Sequence, residues 1–176
     1  MWRRLRQLPD LRQEQWAYLA GLFDGEGAVS FNHYFHKPRG AGVRSQTLPR
    51  IYVRSLFVCI SVTAMEALQQ ARDEVGAPGS LMCSYRPPPL KSLYRWTMVS
   101  RTAEWFLRGT LPYLKIKKRH AELGLAFRTT VRGGNGKGSF RPTEEELAER
   151  ERIAAELIEI NRRVGKRRAS YTTKVR

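Results

Sequence analysis

Chemistry in this chain concentrates around Glu26, an acid set between Gly25 and Gly27 where a predicted helix ends. A carboxylate at the C-terminal end of a helix is opposed by the helix dipole, and a bound cation would compensate it. The residues leading to it, Leu19-Ala20-Gly21-Leu22-Phe23-Asp24-Gly25, are unusually small at helical spacing. Ala17, Gly21 and Gly25 recur every four positions, as do Ala20 and Asp24. Two such helices can approach backbone to backbone, because small side chains permit close packing. Glycine inside a helix costs about 1 kcal/mol relative to alanine, so Gly21 points to a packing purpose.

The elements that must position this acid can be read from hydrophobic periodicity and turn signals. A basic arm (1–11) precedes a helix over about Glu14–Gly25. Two strands follow, AVSFNHYFHK and RIYVRSLFVCISVT, joined by a Gly/Pro/Ser-rich stretch. A helix over AMEALQQARDEV closes at Gly76, a glycine suited to end a helix in a left-handed conformation. GAPGSLMCSYR and SLYRWTMVS form a second strand pair, separated by three prolines that exclude a central strand there. Helices are expected near Thr102–Thr110 and over Leu114–Thr130. A flexible connection (131–142) leads to a C-terminal helix (143–164), whose opening Pro142-Thr143 and three glutamates suit a helix N-terminus. The last residues (165–176) form a basic tail. The order α-ββ-α-ββ-α-α plus a final helix implies an α+β domain, with one antiparallel sheet carrying helices on one face. The other face is then left for a ligand.

Charge narrows that ligand. The 176 residues hold 32 Lys and Arg against 16 Asp and Glu, a net +16 with pI near 10.6, which points to a polyanionic partner. Residues 1–142 carry 23 basic and 9 acidic side chains, against 9 and 7 in 143–176, so the binding surface lies in the body of the domain. Hydrophobic residues at 41% are enough for a core. Apolar stretches are short and broken, so neither a membrane span nor a secretory signal is expected. Cys59 and Cys83 are too few for a disulfide framework and are expected as buried or half-buried residues of a reducing compartment. His33, His36 and His120 are too scattered for a zinc cluster.

Alternation assigns the strand faces. Leu56, Val58, Ile60 and Val62 share one side, and Phe57, Cys59 and Ser61 the other; Val29, Phe31, His33 and Phe35 oppose Ser30, Asn32, Tyr34 and His36. The polar and aromatic set suits edge-reading of bases by a β-ribbon in the major groove of double-stranded DNA. Arg50, Arg54, Arg86 and Arg95 fall on predicted strands, and two of the four are expected to touch DNA. Arg162, Arg163, Lys166, Arg167 and Arg168 in the tail are expected to contact phosphate.

The segment LAGLFDGEG (19–27), with Trp16-Ala17-Tyr18 before it and Ala28-Val29-Ser30-Phe31 after it, resembles the motif that names the LAGLIDADG homing endonucleases. Leu111-Pro112-Tyr113-Leu114-Lys115-Ile116-Lys117 resembles that family's LPxLxxK segment, and the likeness covers about residues 12–130. One motif copy implies the homodimeric branch. The resemblance implies the α-ββ-α-ββ-α domain with a saddle-shaped antiparallel sheet in the DNA major groove. It implies a dimer seam along Ala17, Ala20, Gly21 and Asp24. It implies that Glu26 binds a divalent metal with the Gly25 carbonyl close by, and that Lys117 lies at the edge of the site near the scissile phosphate. Mg²⁺, or another divalent cation such as Mn²⁺, suits hard carboxylate and phosphate oxygens. The implied reaction is a metal-dependent double-strand break in a long pseudo-palindromic target, leaving 3′ overhangs. The alternatives within the same fold are an intron RNA maturase and a non-catalytic DNA-binding protein; retained Glu26 and Lys117 favour cleavage. Dimeric relatives often carry a Gln and an Arg at the end of the second strand. Here that place is Thr63-Ala64-Met65-Glu66, so either Gln69 or Arg72 substitutes or the enzyme relies on Lys117 and solvent. High arginine and low asparagine hint at a GC-rich prokaryotic source, hence a cytoplasmic rather than an organellar location, for a protein encoded in an intron or similar mobile element.

Overall fold

A computed structural model describes residues 8–36, 51–131 and 142–172. The elements run α1 (Gln13–Glu26), β1 (Gly27–His36), β2 (Ile51–Val62), α2 (Met65–Glu74), β3 (Ser80–Ser84), β4 (Leu93–Val99), α3 (Ser100–Thr110), a 3₁₀ turn (Leu111–Tyr113), α4 (Lys118–Thr129) and α5 (Glu144–Thr172). The four strands form one antiparallel sheet in the order β1-β2-β4-β3. The α+β architecture with an open antiparallel sheet is thus the one expected.

The sheet's alternation sorts as the sequence implies. Val29, Leu56, Val58, Ile60, Trp96 and Met98 are buried. They form a core with Leu19 and Phe23 of α1, Leu68 of α2, Phe106 and Leu107 of α3, and Phe127 of α4. Aromatic edges lock the layers: Phe23 meets Phe106 with ring centroids 5.3 Å apart, and Phe31 meets Phe127 at 4.4 Å. Burying such rings contributes roughly 1.5–3 kcal/mol each, and the edge contacts add to that. Ser30, Phe57, Ser61 and Arg95 lie half-exposed on the opposite face.

Local signals explain two of the helix ends. Gly76 takes φ +57°, the conformation glycine supplies after α2. Thr143 and Glu146 form a reciprocal capping box at the start of α5, Thr143 N donating to Glu146 Oε2 at 3.0 Å and Glu146 N to Thr143 Oγ1 at 3.2 Å. Buried Arg150 fastens α5 to the end of α4, donating to the Thr130 hydroxyl at 3.1 Å and to its carbonyl at 2.6 Å.

Four expectations change. The helix expected from Leu114 begins only at Lys118: Pro112 sits in a 3₁₀ turn, and the amides of residues 115–117 are drawn out of helical geometry by a carboxylate from α1. α5 continues past 164 to Thr172. Arg86 is not on a strand; it lies in the exposed β3–β4 connection, because β3 ends at Ser84. Cys83 is exposed, since β3 is an edge strand with little packed over it, whereas Cys59 is buried. The connection around 132–141, Arg50, most of the basic arm and the last four residues lie outside the described residues. So do the side chains of Asn32, His33, Tyr34, His36, Arg54, Arg163, Lys166, Arg167 and Arg168.

The passage from α1 into β1 is tight. A Cβ on Gly27 would stand 2.0 Å from Phe23 Cδ2 and 2.5 Å from the Phe23 carbonyl oxygen. The ring is wedged in the core, so Gly27→Ala is expected to destabilise the fold by about 1–3 kcal/mol through overpacking. A denaturant titration showing an unchanged midpoint would contradict this packing account.

Candidate active site and nucleic-acid interface

α1 divides sharply between an inner and an outer face. Leu19, Ala20 and Phe23 are fully buried in the chain's own core, with Trp16 packed against it and tilted on Trp105 at 4.9 Å. Ala17, Tyr18, Gly21 and Gly25 are exposed, and a Cβ added at Gly21 or Gly25 would meet nothing within 4 Å. The subunit itself therefore gives no steric reason for glycine at either place. Of the four expected seam residues, Ala17 and Gly21 lie on this open stripe. Ala20 does not: packed fully inward, it has no surface left for a partner.

Asp24 is also committed within the chain. Its Oδ2 accepts from the amides of Lys115 at 2.7 Å and Ile116 at 3.2 Å, and its Oδ1 from the amide of Lys117 at 2.8 Å. Three donors converging on one carboxylate, 91 to 93 residues away in sequence, form an anion nest of the kind that successive backbone amides make in turns. The Lys117 ammonium closes the arrangement by donating to the Asp24 carbonyl oxygen. It thereby meets the negative end of the α1 dipole, where a cation is favoured. Asp24 is thus the residue that docks the Lys117 turn onto α1. No local sequence signal marks that role.

Glu26, the last residue of α1, is exposed beside exposed Gly25 and two residues beyond the carbonyl that holds Lys117. An acid and an ammonium far apart in sequence are so brought to one end of one helix. Among the described residues no three His, Cys, Asp or Glu side chains gather into a metal cage. One exposed carboxylate per subunit is nevertheless the donor chemistry that suits a hard cation completed by phosphate and water. His120, behind Lys117 on α4, is buried with its Nδ1 lacking a partner among the described residues. Burial holds its pKa down, and Lys117 adds to that.

The expected second-strand substitutes fare differently. Thr63, Ala64, Met65, Glu66 and Gln69 are exposed. Arg72 is engaged with Asp73 at 2.7 Å, and the adjoining Glu74 carbonyl accepts from Gln15 at 3.4 Å. Gln15 is eleven residues before Glu26 on α1, roughly 16 Å of helix rise. Arg72 therefore sits by the wrong end of α1 to serve Glu26. On the open face of the sheet, Arg95 Nε donates to Ser61 Oγ at 3.3 Å, directly across the β2–β4 pair. Ser30 and Ser61 are half-exposed there.

The Asp24 nest carries a pH signature. Desolvation opposes ionisation of Asp24, but the three amides and the nearby Lys117 together outweigh it, so its carboxyl titrates below the usual aspartate range. A depressed folded pKa means the stabilisation is fully present above about pH 4, the unfolded value, and is lost as pH falls through the lower folded one. Asp24→Asn should lower stability at neutral pH by about 1–2 kcal/mol, the smaller figure reflecting solvent screening, with the difference narrowing in acid. Paired denaturation curves at pH 7 and pH 3 test this; equal differences at both values would reject it.

No protein-family model matches this sequence, and none of the curated proteins does. Solved structures do match. The homing endonuclease I-CvuI in complex with its DNA target in the presence of calcium is similar at 18% identity, over 82% of this chain and 80% of that one, with TM-score 0.58. The archaeal intron-encoded homing endonuclease I-Vdi141I, complexed with DNA, gives 17% identity over 83% of each chain and TM-score 0.59. The LAGLIDADG homing endonuclease I-GzeII, with its DNA target, gives 16% identity and TM-score 0.56 over 80% of this chain but 43% of that one. With its motif on α1 and Lys117 docked to the end of that helix, this chain has the fold of the LAGLIDADG homing endonucleases.

Proposed function

We propose that this chain is a site-specific DNA endonuclease that acts as a homodimer and makes a double-strand break in a long pseudo-palindromic target. The observation that carries this reading is the convergence of exposed Glu26 and part-buried Lys117 at one end of α1, beside an exposed stripe of Ala17, Gly21 and Gly25. Glycines with no steric need inside the subunit are accounted for if a second α1 packs against them, which sets two Glu26 carboxylates side by side. The I-CvuI and I-Vdi141I structures are DNA complexes, and that precedent supports double-stranded DNA as the ligand of the open sheet face. The net charge of +16 supports the same polyanion.

Glu26, with the Gly25 carbonyl, is the group that would hold a divalent cation, Mg²⁺ or Mn²⁺. When bound, such an ion supplies an acidified water and neutralises charge on the phosphate. The protein's own residues do the rest. Lys117, anchored on the Asp24 carbonyl, keeps a positive charge within the site and offsets the accumulating negative charge of the substrate. Asp24 is occupied by its three amide bonds and fixes the turn from which Lys117 projects. The open sheet face holds the duplex against these groups.

The test uses the purified protein and a randomised duplex library, with Mg²⁺ or with EDTA. Sequencing of cut ends is expected to return one symmetric site with 3′ overhangs in the presence of Mg²⁺ only. Glu26→Gln should bind that site with near wild-type affinity yet leave it uncut; retained cutting would remove Glu26 as the metal ligand. Binding should weaken steeply with salt, by about 0.9 log per log for each phosphate neutralised. Absence of any cut site, together with tight binding to structured RNA, would replace cleavage with a maturase-like role.

A further inference from the structure

The strand register brings a basic residue that no sequence motif marks onto the row of the open face that leads to the end of α1. In β1 and β2, Gly27 stands opposite Ile60, so Ser61 occupies the next place along, where α1 hands over to β1 at Glu26. In β2 and β4, Ser61 stands opposite Arg95. Faces follow from alternation: Ile60 and Trp96 are buried beneath the sheet, so Ser61 and Arg95 lie on its open side. The Nε–Ser61 Oγ bond at 3.3 Å leans the guanidinium from β4 across to β2. That leaves it about one interstrand spacing, roughly 4.8 Å, from β1, which starts just after Glu26.

Two further facts mark this guanidinium as available. Among the described residues no carboxylate pairs with Arg95, while the bond to Ser61 uses one of five donors. Its charge is felt locally: burial raises the pKa of the Cys59 thiol on the same face, and Arg95 opposes that rise. The neighbouring end of β2, where Thr63, Ala64 and Met65 are exposed, offers no cation. Arg72 is spent at the far end of α1.

We propose that Arg95, aimed by Ser61, binds the phosphate that is cut and supplies positive charge to the site from β4. The inference rests on the nuclease reading above. The planar guanidinium presents its terminal amino groups to two phosphate oxygens at once and lowers the energy of the charge-rich transition state. Ser61 is a positioning residue that fixes the guanidinium through Nε.

The experiment compares single-turnover cleavage in Mg²⁺ with DNA affinity in EDTA, using the site returned by library selection. Arg95→Met is expected to slow cleavage by about 100-fold while affinity changes by less than about threefold. Arg95→Lys should recover part of the rate, since it keeps the charge and loses the two-pronged fork. Ser61→Ala should slow cleavage several-fold with unchanged affinity. Denaturant midpoints report whether each variant is folded; if Arg95→Met is not, the Lys and Ser61 variants decide. Wild-type cleavage by Arg95→Met, or by Arg95→Lys and Ser61→Ala together, overturns the inference. So does affinity falling in step with rate, which would make Arg95 an ordinary base or backbone contact. If the unsubstituted protein cuts no duplex, the nuclease reading falls and this inference with it; a cutting wild type beside an indifferent Arg95 variant removes the inference alone.

Discussion

The carboxylate of Asp24 is the contact on which the rest of the site depends. It draws the amides of residues 115–117 onto the last turn of α1 and so fixes where Lys117 can be. Without that bond the 3₁₀ turn at Leu111–Tyr113 would have no reason to stop short of α4. The chain accepts a carboxylate near the unfavourable end of a helix dipole because amide donors and an ammonium repay it. Glu26, two residues on, lacks that nest and stays exposed. Two acids in one short segment thus take different duties because their surroundings differ.

α1 resolves a conflict between packing and approach. Its inner face needs bulk, which Leu19, Phe23 and Trp16 provide against α3 and the sheet. Its outer face carries Ala17, Gly21 and Gly25 at helical spacing, at a cost in helix propensity of about 1 kcal/mol for each glycine. Within one subunit nothing offsets that cost. A second copy of the helix would, by close backbone packing, and would at the same stroke bring the two Glu26 carboxylates together.

The sheet is asymmetric for a related reason. Helices cover one side with a continuous apolar core, while the other keeps serines, an arginine and a half-buried phenylalanine. A basic chain with net charge +16 repels itself, and a polyanion laid along the open side would relieve that strain. Ser61 and Arg95 lie where the open side meets the end of α1, so the proposed binding face and the proposed site share an edge.

Much of this was legible in the sequence, because it depends on neighbours. The small-residue spacing of α1, the alternation of Leu56, Val58 and Ile60, the glycine stop at Gly76 and the Thr143–Glu146 cap are local patterns with local causes. The motif around Glu26 and the segment ending at Lys117 were visible as separate pieces. What joined them was not. The inward turn of Ala20, the Asp24 nest 91 residues from its partners, the stranding of Arg72 at the far end of α1 and the Arg95–Ser61 bond across 34 residues are all products of strand register and helix packing. Periodicity tells which face a residue shares but not which residue lies opposite. That second fact is decided only when the whole core closes and admits a single register.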